Sequence, residues 1–300
     1  MSSHRGYLPR WGELPVEQYL IRHWVPAGTE SPNQQRVRLV RQFLHLDEIP
    51  QEWFPTQEGE PLPRTPTEEE IKVILRPWRS NDLRRRAWHM YTNVTDEPIF
   101  LRTHYDPGDD EKMEYWACIS EEFEDQAWWT CLNNAQLYNF ESDWQRVYEI
   151  LPEIAEPSTG TQGFPSPENL SSARSGFKTW LSEAKQIEPE HWKNDPHRFI
   201  EFKAAGLLRR VMTRYILLAD QEAFETDGRL RLIYLDNKRN IVRETRVDAD
   251  GQTITDIIMA CFELTDPPEL EEGITGDRYR VIGDLGRELY QLTESDLADP

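Results

Sequence analysis

The stretch Arg229-Leu230-Arg231-Leu232-Ile233-Tyr234-Leu235-Asp236-Asn237-Lys238-Arg239-Asn240-Ile241-Val242-Arg243-Glu244-Thr245-Arg246-Val247 decides the fold. Leu230, Leu232 and Tyr234 alternate with Arg229, Arg231 and Ile233, the two-residue period of a strand. Asp236 to Asn240 is a polar run rich in residues that tolerate left-handed backbone angles. Ile241 to Val247 alternates again and is β-branched, so the two runs read as an antiparallel hairpin. Facing Arg and Glu side chains can pair across its polar side. Asp250-Gly251 then turns the chain. Thr253, with Asp256 three residues on, reads as the cap of a helix whose apolar face carries Ile254, Ile257, Ile258, Cys261 and Leu264. Asp266-Pro267-Pro268 ends it, because proline cannot continue a helix. The hairpin and this helix face are expected to pack together.

Working outward, Pro15 to Val25 reads as a short helix. Ser31-Pro32-Asn33-Gln34 opens another, with Val37, Val40, Phe43 and Leu44 inward and Arg36, Arg38 and Arg41 outward. Residues 55–67 are proline-rich and read as a linker or surface loop. Thr67 caps a helix ending before Pro77. Ser80 caps the next, with Leu83, Ala87 and Met90 inward and Arg84, Arg85 and Arg86 mostly outward. Strands are expected at 99–101, 114–119 and 127–132, with a turn at Asp106-Pro107-Gly108-Asp109 between the first two. A helix carrying Trp144, Val147, Tyr148 and Leu151 ends at Pro152.

Residues 157–172, rich in Ser, Gly, Pro and Thr, read as a linker or mobile loop. Helices then follow, one carrying Phe177, Trp180, Leu181 and Ala184, and one opened by Asp195-Pro196. Ile216-Leu217-Leu218 reads equally as a helix end or a buried strand, Tyr279 to Ile282 as a strand, and Leu285 to Leu297 as a terminal helix.

These elements define an α+β protein of mixed helices and antiparallel hairpins. Three regions are expected: a Trp-rich helical and acidic strand-rich region at 1–156, the linker, and a helix, hairpin and helix region at 173–300. All eleven tryptophans lie between Trp11 and Trp192, which supports that division. Over 229–297 the order strand, strand, helix, strand is similar to that of β-grasp (ubiquitin-like) folds, a likeness of element order alone.

The net charge of −20 disfavours phosphate backbones and anionic membranes as partners. The charge is uneven. Residues 1–93 carry 13 basic and 12 acidic side chains, whereas residues 94–156 carry 3 and 16. Three cysteines, Cys118, Cys131 and Cys261, argue for a reducing compartment rather than a disulfide framework. The first residues lack the apolar core of a secretory signal, and no apolar run is long enough to span a membrane. The expectation is a cytoplasmic protein that binds neither nucleic acid nor membrane.

Four constellations carry candidate chemistry. His104-Tyr105-Asp106 is two thirds of the facial triad that holds non-haem iron, with His191 or His197 as a third ligand. Asp106, Asp109, Asp110 and Glu111 form a carboxylate cluster of the kind that takes calcium or magnesium, without the spacing of a calcium loop. The plainer reading of both is a solvated bend, and neither metal nor other cofactor is assigned. Arg84, Arg85 and Arg86 beside Trp88 interleave basic and aromatic groups, most economically as partners for the acidic 94–156 segment. Trp116, Trp128 and Trp129 are read as core, as a pocket lining for a small apolar ligand, or as interface anchors. Adjacent Trp128 and Trp129 on a strand face opposite sides, so one ring turns away from the main core.

Two functions follow. The first is a non-enzymatic protein-interaction or self-associating protein built on aromatic anchors and an acidic surface. The second is a small-molecule enzyme, metal-dependent in one form, with His104, Asp106 and Glu114 as acid–base residues.

Overall fold

A computed structural model describes residues 7–26, 28–54, 62, 64–92, 99–119, 130–155, 167–226, 228–254, 256–257 and 273–298. The chain divides into two compact units, Met1–Glu97 with Asp143–Gln162, and Pro98–Ser142 with Gly163–Pro300. Residues 98–142 therefore belong with the C-terminal part rather than with residues 1–97. The physical reason is strand pairing, given below.

The first unit is helical. Helix α1 (Pro15–His23) and helix α2 (Pro32–Leu44) pack together. Ser31 starts α2 with a full capping box: its hydroxyl accepts from Gln34 N, and the Gln34 side chain accepts from Ser31 N. The buried face of α2 is Gln35, Arg36, Leu39, Val40 and Phe43, so Arg36 turns inward, contrary to its expected outward place. Thr67 and Glu70 form a second capping box, and the helix continues as a π-helical segment over Ile71–Leu75. Helix α3 (Asn81–Thr92) buries Leu83, Ala87 and Met90 as its spacing predicts. It buries Arg84 as well.

The second unit is built on one six-stranded mixed sheet in the order β2-β1-β3-β4-β5-β6. Strand β1 (Ile99–Arg102) lies parallel both to β2 (Thr130–Leu132) and to β3 (Arg214–Ala219). The run at 216–218 is thus a strand. Strands β3, β4 (Arg229–Leu235), β5 (Ile241–Asp248) and β6 (Ile274–Thr275) follow antiparallel. The hairpin stands where the alternation places it. Its turn is held by Asp236, whose Oδ1 accepts from Lys238 N (2.9 Å) and Asn240 N (2.8 Å), while Arg239 takes the left-handed angle (φ 65°). Arg231 and Glu244 pair across it at 2.6 Å.

Leu230, Leu232, Tyr234 and Val247 share one buried cluster with Ile254 and Ile257, as the sequence predicts for the hairpin and its helix. Ile258, Cys261 and Leu264 lie outside the described residues. The helix begins three residues earlier than expected, at Gly251. Asp250, not Thr253, is its cap: Asp250 Oδ1 accepts from Thr253 N (3.0 Å) and Asp250 Oδ2 from the Thr253 hydroxyl (2.7 Å). The bond from Thr253 N holds the Asp250 carboxyl below its ordinary value. Asp250→Ala is expected to cost about 1 kcal/mol, seen as a lower urea midpoint at unchanged slope. Thr253→Ala costs less, and the reverse ranking would remove Asp250 from the cap.

Four further differences have local causes. Residues 114–119, read as a strand, belong to helix α4 (Asp110–Ile119), opened by Asp109 and two acids in its first turn. Helix α5 (Pro167–Ile187) includes 167–172, which composition alone assigns to a linker. It leaves Trp180 46% exposed. Tyr279 ends a 3₁₀ turn (Asp277–Tyr279) rather than starting a strand. Finally, the terminal helix is two: Gln291 takes a left-handed angle after Asp284–Tyr290, and Thr293 caps a new start. The second buried cluster joins Phe177 and Leu181 of α5 to Phe199, Leu207 and Leu208 of the following helices, to Val242 of β5, and to Leu289 and Tyr290.

Candidate metal centre

Strand β1 delivers the loop that carries the candidate site. Thr103 N donates to Ala219 O (3.0 Å), which prolongs the parallel pairing by one residue beyond β1. The loop thus leaves the C-terminal end of a strand flanked on both sides by parallel neighbours, where open sheets of this kind bind ligands. Asp106 to Asp109 close the expected turn, with Asp109 N donating to Asp106 O (3.1 Å). Asp109 O then accepts from Met113 N (3.0 Å) as the first bond of α4.

Three side chains converge there. His104 Nε2 lies 3.3 Å from Asp106 Oδ2 and 3.7 Å from Asp109 Oδ2. One ligand atom from each residue lies within 4.8 Å of the others. Bonds of about 2.1 Å at right angles put neighbouring ligands about 3 Å apart, so the triangle matches one face of a divalent ion with little adjustment. Asp106 is open to solvent, whereas His104 and Asp109 are 16% and 18% exposed. Asp109 Oδ2 is buried and accepts no hydrogen bond. An acceptor-only oxygen in that position is costly without a cation or donor.

The loop is braced from the other side by Arg102. Its side chain is 2% exposed, its Nε donates to His104 O (2.7 Å), and its Nη1 to Asp110 Oδ1 (2.7 Å). The guanidinium lies over the rings of Tyr105 (4.4 Å) and Phe224 (5.1 Å). Tyr105 donates its hydroxyl hydrogen to Arg102 O (3.1 Å) and accepts from Asn134 N (2.9 Å). Burial pushes the Tyr105 phenol up to about 12. The histidine backbone and both flanking residues are therefore held before any ligand arrives.

The other sequence candidates are dispersed. Glu114 is exposed on α4 and joins no ligand group. Among the described residues, neither His191 nor His197 belongs to such a group; His191 pairs with Glu188, the residue that precedes its helix (3.1 Å). Asp109 takes the third place instead. Its signal was local: a turn brings residues three apart to one side, so Asp106 and Asp109 converge wherever His104 is held near. Trp116 sits in the sheet cluster, 4% exposed, against Phe224. Trp88 is 8% exposed. Trp128 and Trp129 lie outside the described residues. Arg84 is buried with Glu17 (2.9 Å), Arg85 pairs with Asp82 (2.7 Å), and Arg86 is exposed, so the arginine run is not one outward basic face. Cys131 is a partly buried thiol packed against the sheet cluster.

No family model matches the chain, and neither curated proteins nor solved structures provide a match. The described residues contain no helix long and apolar enough to cross a membrane.

Proposed function

We propose that this protein binds a first-row divalent metal ion through His104, Asp106 and Asp109 and uses it on a small-molecule substrate. The observation that carries this reading is the buried Asp109 Oδ2, which accepts no hydrogen bond and lies 3.7 Å from His104 Nε2. One imidazole and two carboxylates suit manganese, iron or zinc better than the all-oxygen sets preferred by calcium. Three protein ligands on one face leave the remaining positions to water or substrate, and a bound ion of this kind makes coordinated water acidic and polarises oxygen functions. The protein supplies orientation. Arg102 fixes the His104 carbonyl and Asp110, and Phe224 lies beside the His104 ring at 6.0 Å. Equilibrium dialysis of the chain and of His104→Ala against manganese and zinc tests the reading. Equal uptake by both proteins sinks it.

A second reading, self-association, is favoured by a different observation. Two aromatic residues, Trp180 (46% exposed) and Phe202 (41% exposed), line a groove of about 590 Å³ with Lys203 and Arg210. The proposed occupant is a second copy of the chain, presenting exposed acidic side chains to Lys203 and Arg210 of this aromatic groove. Sedimentation velocity is expected to show concentration-dependent association that Trp180→Asp abolishes. A chain that stays monomeric at high micromolar concentration rules this reading out.

A further inference from the structure

A second cleft, of about 590 Å³, lies within the first unit and, unlike the acidic loop of the candidate metal centre, is lined by basic side chains. Four arginines line it, Arg10, Arg76, Arg79 and Arg84, together with Trp11 and the start of α3 at Ser80 and Asn81. Its lining includes no acid, in a chain of net charge −20.

The arginines are held in place by the fold. Arg84 is 1% exposed; its Nε donates to Glu17 Oε1 (2.9 Å), and its guanidinium carbon lies over the Trp11 ring, 3.6 Å from the centroid. Arg79 is also 1% exposed and donates both terminal nitrogens to Glu153 at 2.8 Å. Trp11 is fixed by the next residue. Gly12 has φ +85°, and a Cβ there would lie 2.8 Å from the Pro66 ring. Its amide is bonded to Glu17 Oε2 (2.7 Å). A π-helical segment, Ile71–Leu75, leads directly into Arg76, and such segments recur at functional sites.

Two features point to an anionic occupant. Nη2 of Arg84 and Nε of Arg79 are buried donors without an acceptor, on side chains that line the cleft. Leaving donors of a buried cation unmet is expensive. Independently, α3 runs twelve residues from Asn81, and the N–H groups of its first turn lack intrahelical acceptors. Ser80 satisfies one, since Leu83 N donates to Ser80 Oγ (3.3 Å). Helix dipole and guanidinium groups thus favour negative charge at one place. Arg76 is exposed and pairs with no acid among the described residues.

We propose that this cleft binds a phosphate group, with Arg76 and Arg84 donating to its oxygens at the α3 N-terminus. Guanidinium forks match phosphate geometry. The volume exceeds a lone anion and lies in the range of small-ligand sites, which leaves room for the organic part of a phosphate monoester beside Trp11.

Isothermal titration of the full chain with inorganic phosphate, phenyl phosphate and succinate, at matched ionic strength, tests the proposal. Phosphate or phenyl phosphate is expected to bind, and Arg76→Ala to weaken it about tenfold or more, as loss of a charge-assisted bond implies. Tighter binding of phenyl phosphate identifies an ester as the ligand; equal binding identifies free phosphate. Arg84→Lys retains the charge opposite Glu17 and removes the spare nitrogen, so it should weaken binding while circular dichroism stays unchanged. If Arg84→Lys does not fold, Arg76→Ala, a surface change, decides alone. Absence of binding, tighter binding of succinate, heats reproduced by sodium chloride, or affinity unchanged in Arg76→Ala overturns the proposal.

Discussion

Glu153→Ala destabilises the first unit by about 3–5 kcal/mol, the range for removing one partner of a buried ion pair. Arg79 and Glu153 have side chains 0% and 4% exposed and meet through two parallel bonds at 2.8 Å. The substitution leaves a guanidinium in the interior without its bidentate partner, and its Nε already lacks an acceptor. Arg41→Ala provides the contrast. Arg41 also meets an acid, Glu149, but its side chain is 63% exposed, so its loss costs about 0–1 kcal/mol. The double change Arg79→Met with Glu153→Leu is expected to recover much of the loss, because well-packed apolar residues replace buried ion pairs at little cost. Urea unfolding followed by tryptophan fluorescence measures all three. Equal costs for Glu153→Ala and Arg41→Ala would show that the pair is hydrated in solution.

His104→Ala and Asp109→Asn each lower divalent-ion affinity by about 100-fold or more, above the 10–100-fold typical of residues that merely support a ligand. Asp106→Asn lowers it too, and Glu114→Gln leaves it unchanged, since Glu114 lies outside the ligand triangle. Manganese electron paramagnetic resonance reads the affinity directly and also reports the ligand field. The Asp109→Asn variant is informative in a second way. With no ion present it supplies a neutral group in place of the unpartnered buried carboxylate oxygen, so the metal-free protein is expected to hold its stability or gain some. A variant that loses both stability and affinity would make Asp109 a structural residue of the α4 start. Affinity that falls equally in Glu114→Gln would place the ion elsewhere.

Much of the second unit was legible because its signals are local. The alternation of Leu230, Leu232 and Tyr234 and the polar turn after them specify a hairpin without help from the rest of the chain. Helix α4 was misread because Tyr115 to Ile119 is a β-prone apolar run, while the features that decide it lie upstream, in the Asp109 start and the Asp110-Glu111 first turn. Met113 and Trp116, three apart and both buried, carried the helical period. The parallel partners of β1 were beyond reach, since Ile99 pairs with Ile216 and nothing near Ile99 specifies that register. The same limit hid the buried arginines. Arg84 reads as part of an outward basic run until Glu17, 67 residues earlier, is placed beside it. At the candidate metal centre the sequence singles out His104 and Asp106, whose side chains lie 3.3 Å apart. It paired them with distant histidines because the convergence of Asp109 depends on how the turn at Pro107-Gly108 closes.

The discontinuity of the first unit sets a timetable during synthesis. Its helices α1 to α3 leave the ribosome first, but Glu153 follows Arg79 by 74 residues. At roughly 5–20 residues per second that is an interval of about 4–15 s. Throughout it, Arg79 lacks its bidentate partner and residues 143–155 are not yet available to complete the helical core. The N-terminal third therefore cannot finish folding as it emerges, and β1 and β2, encoded within the gap, are made before either unit is closed. A nascent chain of this design depends on whatever shields its unfinished apolar surfaces until the second segment of its first unit arrives.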